Sequence, residues 1–491
     1  MNDESTEKKN LIFFPVGTIG RDMIYALIAN FLLTYTMFTR QLTSAQLGAL
    51  TAIMVGSRIF DALNDPIMGN IIERTRTKWG KFKPWMLAGA LTTTFVIVFL
   101  FNNTLTGWPF VTAFGVCYFL YSITYTMNDI SYWGMVPALS RDSGTRDALT
   151  SRATLCAGIG NALASVAIPL FTTGAMALGG NARSGYGIIS IVISALALFF
   201  QMFTLLFVKE DRSDMEKKPV PVSLKRVVST ITGNDQLMWI SLCFLIQQIG
   251  SGIIAGGLGA TYIYFTYGYR GGLYSTFTLI GMSATALLMI FYPVLSKKFG
   301  RTRLMKYLAV MAVIGYAMML GSQLFHSMAG FWVLTVGYML AGLGQYGYYL
   351  IMMIAILNTV EYNEYKHGTR DEAIIASLRP FFTKMGSAFV VLITSLTYMV
   401  FGVTKYTNEI SALETAATAG NINEAEKLAS IETLLSSVTK GQTGSLLFVM
   451  VVLSAAFMIV SCILYTRHYR LDEAEYERIC GELAKGKLSA E

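Results

Sequence analysis

The stretch RIFDALNDPIMGNIIERTRTKWGKFKPW, from Arg58 to Trp85, decides how this chain is read. Its first half continues an apolar run yet carries Arg58, Asp61, Asn64 and Asp65. Asp61 and Asp65 are four residues apart, so on a helix they share one face. A charge at bilayer depth costs roughly 2.5–3.5 kcal/mol on insertion scales, and two neighbouring carboxylates compound that cost. Such a pair needs a cation. Arg58, three residues before Asp61, is one candidate, and a mobile cation held by the carboxylates is the other. The second half of the stretch turns basic with Arg74, Arg76, Lys78, Lys81 and Lys83, as expected where a span leaves the membrane on its cytoplasmic side.

Working outward, the 491 residues are 54% hydrophobic and 14% charged, against about 25% charged in an average soluble chain. Apolar runs long enough to cross a bilayer recur along the whole length, and ten-residue alternating strands do not. The fold class is an all-α integral membrane protein. The net charge of +8 is not a nucleic-acid signal, because the basic residues gather in alternate connections. Cys117, Cys156, Cys243, Cys462 and Cys480 stand singly, without a pairing or metal-ligand spacing.

About twelve spans are expected, near 13–38, 46–72, 84–101, 109–138, 152–179, 186–208, 237–266, 273–296, 304–323, 329–358, 373–403 and 443–466. The first reads as a retained helix rather than a cleaved signal peptide. Connections after the second, fourth, eighth and tenth spans are basic, whereas Asn102 to Trp108 is uncharged, which puts both termini in the cytoplasm. Residues 209–236 form a charged central loop between an N-terminal half, 1–208, and a C-terminal half, 237–466, followed by a cytoplasmic tail, 467–491. KWGKFK (Lys78 to Lys83) is echoed by KFGRTR (Lys298 to Arg303), each after the second span of its half. Two six-helix halves with this basic turn point to the major facilitator fold, with a substrate site between halves. The long outer segment 404–442 reads as a helical hairpin, with a capping box at Asn423 and Glu426, and as a solvated connector in preference to a lid or partner-binding element.

Further polar residues lie inside the spans. Thr126, Asp129 and Trp133 share a helical face in the fourth: two oxygens and a flat apolar ring, the combination that binds sugars. Arg152 at the start of the fifth span is placed to bond hydroxyls or to pair with Asp22. Asp61, Asp65, Asn64, Thr126 and Asp129 offer an all-oxygen cage, which hard monovalent cations prefer. A proton on one carboxylate is the competing reading, and the neutral oxygens of Asn64 and Thr126 favour Na⁺ over it. In the eleventh span Lys384 is expected to couple the halves by pairing with Asp61 or Asp129.

RIFDALNDPIMGNIIERTRTKWGKFKPW, NDISYWGMVP and NTVEYNEYKHGTRDEAI (Asn358 to Ile374) resemble the glycoside–pentoside–hexuronide:cation symporter family across essentially all twelve spans. The resemblance implies a plasma-membrane carrier that moves a glycoside together with Na⁺, Li⁺ or H⁺. It assigns the cation to Asp61 and Asp65 with Asn64 and Thr126, and the sugar to Asp22 and Asp129 with Arg21, Trp133 and Arg152. Lys384 and Arg58 become coupling residues, and Arg141, Glu361, Glu364 and Arg370 a cytoplasmic gate. The tail after Arg467 is too short for the regulatory domain fused to some relatives. No cofactor, resident metal, nucleic acid or obligatory protein partner is expected. A lipid or lysolipid carrier on the same fold and a non-transporting sugar sensor are the rival readings. An enzyme is not expected, since no catalytic triad, metal-ligand cluster or phosphate loop is present.

Overall fold

The computed structural model describes residues 4–140, 142–210, 224–325, 327–369 and 371–488. Helices account for the named elements throughout. The long ones are α1 (Thr6–Thr39), α2 (Ser44–Arg74), α3 (Lys83–Asn102), α4 (Gly107–Met135), α5 (Ser143–Thr172), α6 (Ala182–Phe207), α7 (Asp235–Tyr267), α8 (Gly271–Phe299), α9 (Arg301–Gly321), α10 (Met328–His367) and α11 (Glu372–Val400). A hairpin of α12 (Val403–Thr418) and α13 (Glu424–Ser436) follows, then α14 (Lys440–His468) and a terminal α15 (Glu473–Leu488).

Among the described residues, 11 helices are long and apolar enough to cross a membrane. α2 is the long helix outside that set, at 31 residues. Its charges at Arg58, Asp61 and Asp65 are what lower its hydropathy, so the twelfth span is the one built around the decisive stretch.

Local chemistry fixes where these helices begin. Thr43 and Gln46 cap α2 reciprocally, Thr43 Oγ1 accepting from Gln46 N at 3.2 Å and Gln46 Oε1 from Thr43 N at 3.0 Å. Asp142, Asn181 and Asn234 each accept a backbone N–H at the starts of α5, α6 and α7. Leu27–Phe31 in α1, Ile254–Leu258 in α7 and Val449–Leu453 in α14 are π-helical turns. Such turns lie where the regular hydrogen-bond ladder is interrupted, often near functional sites.

By contact, the chain divides into two compact units. The first holds the described residues of Met1–Pro221, Ile263–Thr276 and Thr394–Gln442, and the second those of Val222–Tyr262, Phe277–Ile393 and Thr443–Glu491. In the first, Phe14 stacks on Tyr132 at 4.3 Å and accepts its hydroxyl at 2.7 Å, within a core that includes Met68, Met86 and Leu149. In the second, small residues bring α9 and α10 together. A Cβ at Gly315 would fall 2.3 Å from Ala341 N, so the backbones touch there, as small residues permit between membrane helices.

The echoed basic turns repeat in structure. Gly80 and Gly300 both take positive φ, +103° and +72°. In the first unit Glu210, just past α6, accepts from Lys81 N at 3.1 Å and Lys83 N at 3.3 Å. In the second, Glu473, just past α14, accepts from Arg301 N at 2.8 Å and Nε at 3.2 Å. Each unit thus ties the turn after its second span to the end of its last span through one glutamate. Burial pushes the Glu210 carboxyl above the usual range, against the N–H donors that hold it down.

The hairpin forms with the expected capping box at Asn423, and Gly420 stands between its helices in the left-handed region. The solvated-connector reading is corrected. α12 buries Val403, Thr407, Ile410, Ser411 and Glu414 at helical spacing, and α13 buries Lys427, Ile431 and Leu435. Sequence spacing showed an apolar stripe but not that an ion pair would sit beneath it.

Candidate functional site

The polar residues of the first unit gather into two clusters on α4. Helices α2 and α4 meet side by side, with Asp61 opposite Ser122 and Asp65 opposite Thr126. The sequence offset is 61 in both pairs, so the helices run in the same direction. Ser122 Oγ donates to Asp61 Oδ1, and Thr126 Oγ1 donates to Asp65 Oδ1 at 3.3 Å. Arg58 Nη1 lies 3.6 Å from Asp61 Oδ2, an ion-pair distance too long for a good hydrogen bond. The Arg58 guanidinium also sits 5.9 Å from the Tyr118 ring. Asn64 is buried beside them, and its Nδ2 has no hydrogen-bond partner among the described residues.

The second cluster joins α1 to the next turn of α4. Arg21 is 5% exposed and bridges two carboxylates, with Nη2 2.9 Å from Asp22 Oδ2 and Nη1 2.9 Å from Asp129 Oδ1. Its guanidinium packs 4.6 Å from the Tyr132 ring and 5.4 Å from Trp133. Thr18 Oγ1 donates to Asp22 Oδ2 at 2.6 Å. The Asp129 side chain keeps 35% of its surface exposed, against 6% for Arg21. A ligand therefore has access to the carboxylate while the arginine is held behind it. Tyr25 and Tyr125, with rings 6.1 Å apart, lie between α1 and α4.

The arrangement refines several expectations. Asp129 belongs with Arg21, not with the Asp61–Asp65 oxygens, because it lies a turn further along α4. Arg152 does not pair with Asp22. It is exposed and donates to the carbonyl of Leu11 at 3.3 Å, while Asp22 is taken by Thr18 and Arg21. Ser122 and Thr18 were not singled out, although spacing could have found them. Ser122 stands four residues before Thr126 on the same face, and Thr18 four before Asp22.

Lys384 is half-buried on α11 in the second unit, where its carbonyl accepts from Ser387 Oγ at 2.7 Å. Glu361 and Glu364 lie in the last turns of α10, and Glu361 stands beside the hydroxyl of Tyr476 on α15. Arg141 and Arg370 lie outside the described residues. Within the second unit Gln247 Nε2 donates to Gln345 Oε1 at 3.2 Å and Gln345 Nε2 to the Tyr316 hydroxyl at 2.8 Å. That is a neutral network in contrast to the charged clusters of the first unit. Among the described residues no group of His, Cys, Asp and Glu is arranged to hold a metal ion.

Comparison with known proteins identifies the family and the fold. The family model described as MFS/sugar transport protein matches residues 13–473. Lactose permease of Leuconostoc lactis is 30% identical over 403 residues, covering 77% of this chain and 60% of that protein. Raffinose carrier protein of Pediococcus pentosaceus is 28% identical over 442 residues, covering 85% of this chain and 65% of its own length. The chain thus spans about 60–65% of the length of these relatives. Among solved structures, a D-xylose-proton symporter superposes with a TM-score of 0.59 at 12% identity, covering 89% of this chain and 99% of that one. A bacterial homolog of the human lysosomal transporter Spinster, inward-facing, gives 0.62 at 14% identity, covering 94% and 98%. At such identities the likeness shows the fold. With the family match running almost end to end, the chain belongs to the MFS/sugar transport protein family, the glycoside–pentoside–hexuronide branch of the major facilitator transporters, which are membrane carriers and not enzymes.

Proposed function

We propose that the protein is a secondary active transporter that moves a glycoside together with Na⁺ or H⁺ by alternating access, with both termini in the cytoplasm. The observation that carries the reading is the pair of clusters on α4. Ser122 and Thr126 aim hydroxyls at Asp61 and Asp65, and one turn on Arg21 bridges Asp129 and Asp22. A small cation fits the first cluster because the carboxylates of Asp61 and Asp65 stand there beside the neutral hydroxyl oxygens of Ser122 and Thr126, the all-oxygen set that hard monovalent cations prefer. A glycoside fits the second, because Asp129 is exposed enough to accept sugar hydroxyls beside the Trp133 ring. The relatives named as lactose and raffinose carriers support a glycoside class.

On this reading α4 is the coupling element. Cation binding fixes the Ser122–Thr126 face and with it the direction of Asp129, so the sugar site is complete only when the cation is present. Lys384 and Arg58 act as coupling residues that exchange partners during the cycle, and Glu361 and Glu364 belong to the cytoplasmic gate. Linkage requires that the cation raise sugar affinity by the same factor as sugar raises cation affinity. Equilibrium binding on purified protein tests this. Sugar affinity should rise several-fold with the cation in wild type, lose that dependence in Asp61→Asn, and fall in Asp129→Asn at every cation concentration. A cation effect that survives Asp61→Asn would remove Asp61 from the coupling site.

A further inference from the structure

The hairpin α12–α13 interrupts the chain between two spans of the second sequence half, yet it belongs to the same compact unit as α1–α6. It is held there by side chain to backbone bonds that a loose loop would not make. Asn408 accepts from Leu42 N and donates to Leu42 O, both at 2.8 Å, and so grips the connection between α1 and α2. Glu414 Oε2 accepts from Ala182 N at 2.7 Å, and Lys427 Nζ donates to Gly180 O at 2.6 Å, which grips the connection between α5 and α6. Lys427 and Glu414 face each other at 3.3 Å with side chains 0% and 1% exposed, and Thr418 Oγ1 donates to Asn181 Oδ1 at 3.0 Å. Burial pushes the Glu414 carboxyl up, opposed by Lys427 and by the Ala182 N–H. A buried pair of this kind is weak as a source of stability but costly to break by removing one partner.

The other side of the hairpin is fastened just as firmly to its own spans. Only Phe401 and Gly402 separate α11 from α12, and three residues separate α13 from α14. Gln442 Nε2 donates to Phe401 O at 3.3 Å, while its Oε1 accepts from the Tyr406 hydroxyl at 3.1 Å. The links are short and cross-tied, so the hairpin follows the ends of α11 and α14. Its grip on Leu42 and on Gly180–Ala182 must therefore break whenever those spans move away from α1–α6.

We propose that α12–α13 is an external strap, with Asn408, Glu414 and Lys427 as positioning residues of the transport cycle that close the outer end and release once per turnover. This rests on the alternating-access reading and on the orientation set by the basic turns.

Two measurements test it. In proteoliposomes, Asn181→Cys combined with Thr418→Cys is joined by a short bifunctional thiol reagent that reduction reverses. Expected is loss of glycoside uptake on joining and recovery on reduction, with uptake by the unjoined protein showing that transport itself stands. Uptake undiminished after complete joining would overturn the strap and leave the transporter reading intact. Independently of transport, Asn181→Cys alone should react slowly with a membrane-impermeant maleimide. It should react about tenfold faster or more once Glu414→Ala removes one partner of the buried pair. Equal rates, with the protein still folded by its melting curve, would show that the pair holds nothing shut.

Discussion

Asp61 is the pivot of the first cluster, because its two oxygens meet two different partners, Ser122 and Arg58. Removing the hydroxyl with Ser122→Ala should weaken cation binding by roughly 10- to 100-fold, the worth of one hydrogen bond to a charged group at roughly 1.5–3 kcal/mol. Sugar affinity measured without cation should not change, and a cation titration on purified protein checks both. Arg21 offers the opposite case. Arg21→Met keeps the packing against Tyr132 but leaves Asp22 and Asp129 facing each other, and it should abolish sugar binding. It should also cost stability by about 1–3 kcal/mol, discounted because Asp129 is partly solvated, as read from thermal unfolding. The aspartates were legible in the sequence because a charge inside an apolar run has few structural excuses. Ser122 and Thr18 were not singled out, because a hydroxyl in a membrane helix can satisfy itself on its own backbone, as Thr36 and Thr39 do here. The pairing of Arg152 with Asp22 gives way for a related reason: a long side chain at a helix start reaches backbone carbonyls as readily as carboxylates.

At the scale of elements, the duplicated turn KWGKFK/KFGRTR was visible in the sequence, but the glutamates that cap it were not. Glu210 lies well over a hundred residues from its turn and Glu473 likewise, and no local pattern joins them. Glu210→Ala should lower stability by about 1–2 kcal/mol, since two backbone N–H groups lose a partly buried acceptor. Glu473→Ala should cost less than about 1 kcal/mol, because that side chain is 44% exposed and water replaces it. Matched melting curves of the two variants would contradict this ranking if Glu473 proved the costlier loss. Gly80→Ala should be worse tolerated than either, because its φ of +103° disfavours a side chain and a Cβ would fall 2.3 Å from the Glu210 carboxylate. The hairpin marks the limit of element-level reading. Its helices and cap could be foreseen from spacing, but its seat depends on contacts hundreds of residues away, such as that of Asn408 with Leu42.

For the whole molecule, the apolar runs and the alternation of basic connections were enough to give an all-helical membrane fold, because the bilayer leaves the backbone few options. The cargo was less legible, since a polar residue that recognises a cargo follows no fixed spacing along a span. Energetics leave room for concentrative transport. One charge crossing with the sugar through 100 mV supplies about 2.3 kcal/mol, or roughly 40-fold accumulation at 1.4 kcal/mol per tenfold. The most direct measurement is steady-state accumulation of labelled α- and β-glycosides and pentosides in proteoliposomes, with inward Na⁺ and inward proton gradients imposed separately. Accumulation above equilibrium is expected under one of these gradients, lost in Asp61→Asn while sugar exchange at equal concentrations persists. Equilibration without accumulation under both gradients, by protein that binds the sugar, would contradict cation coupling.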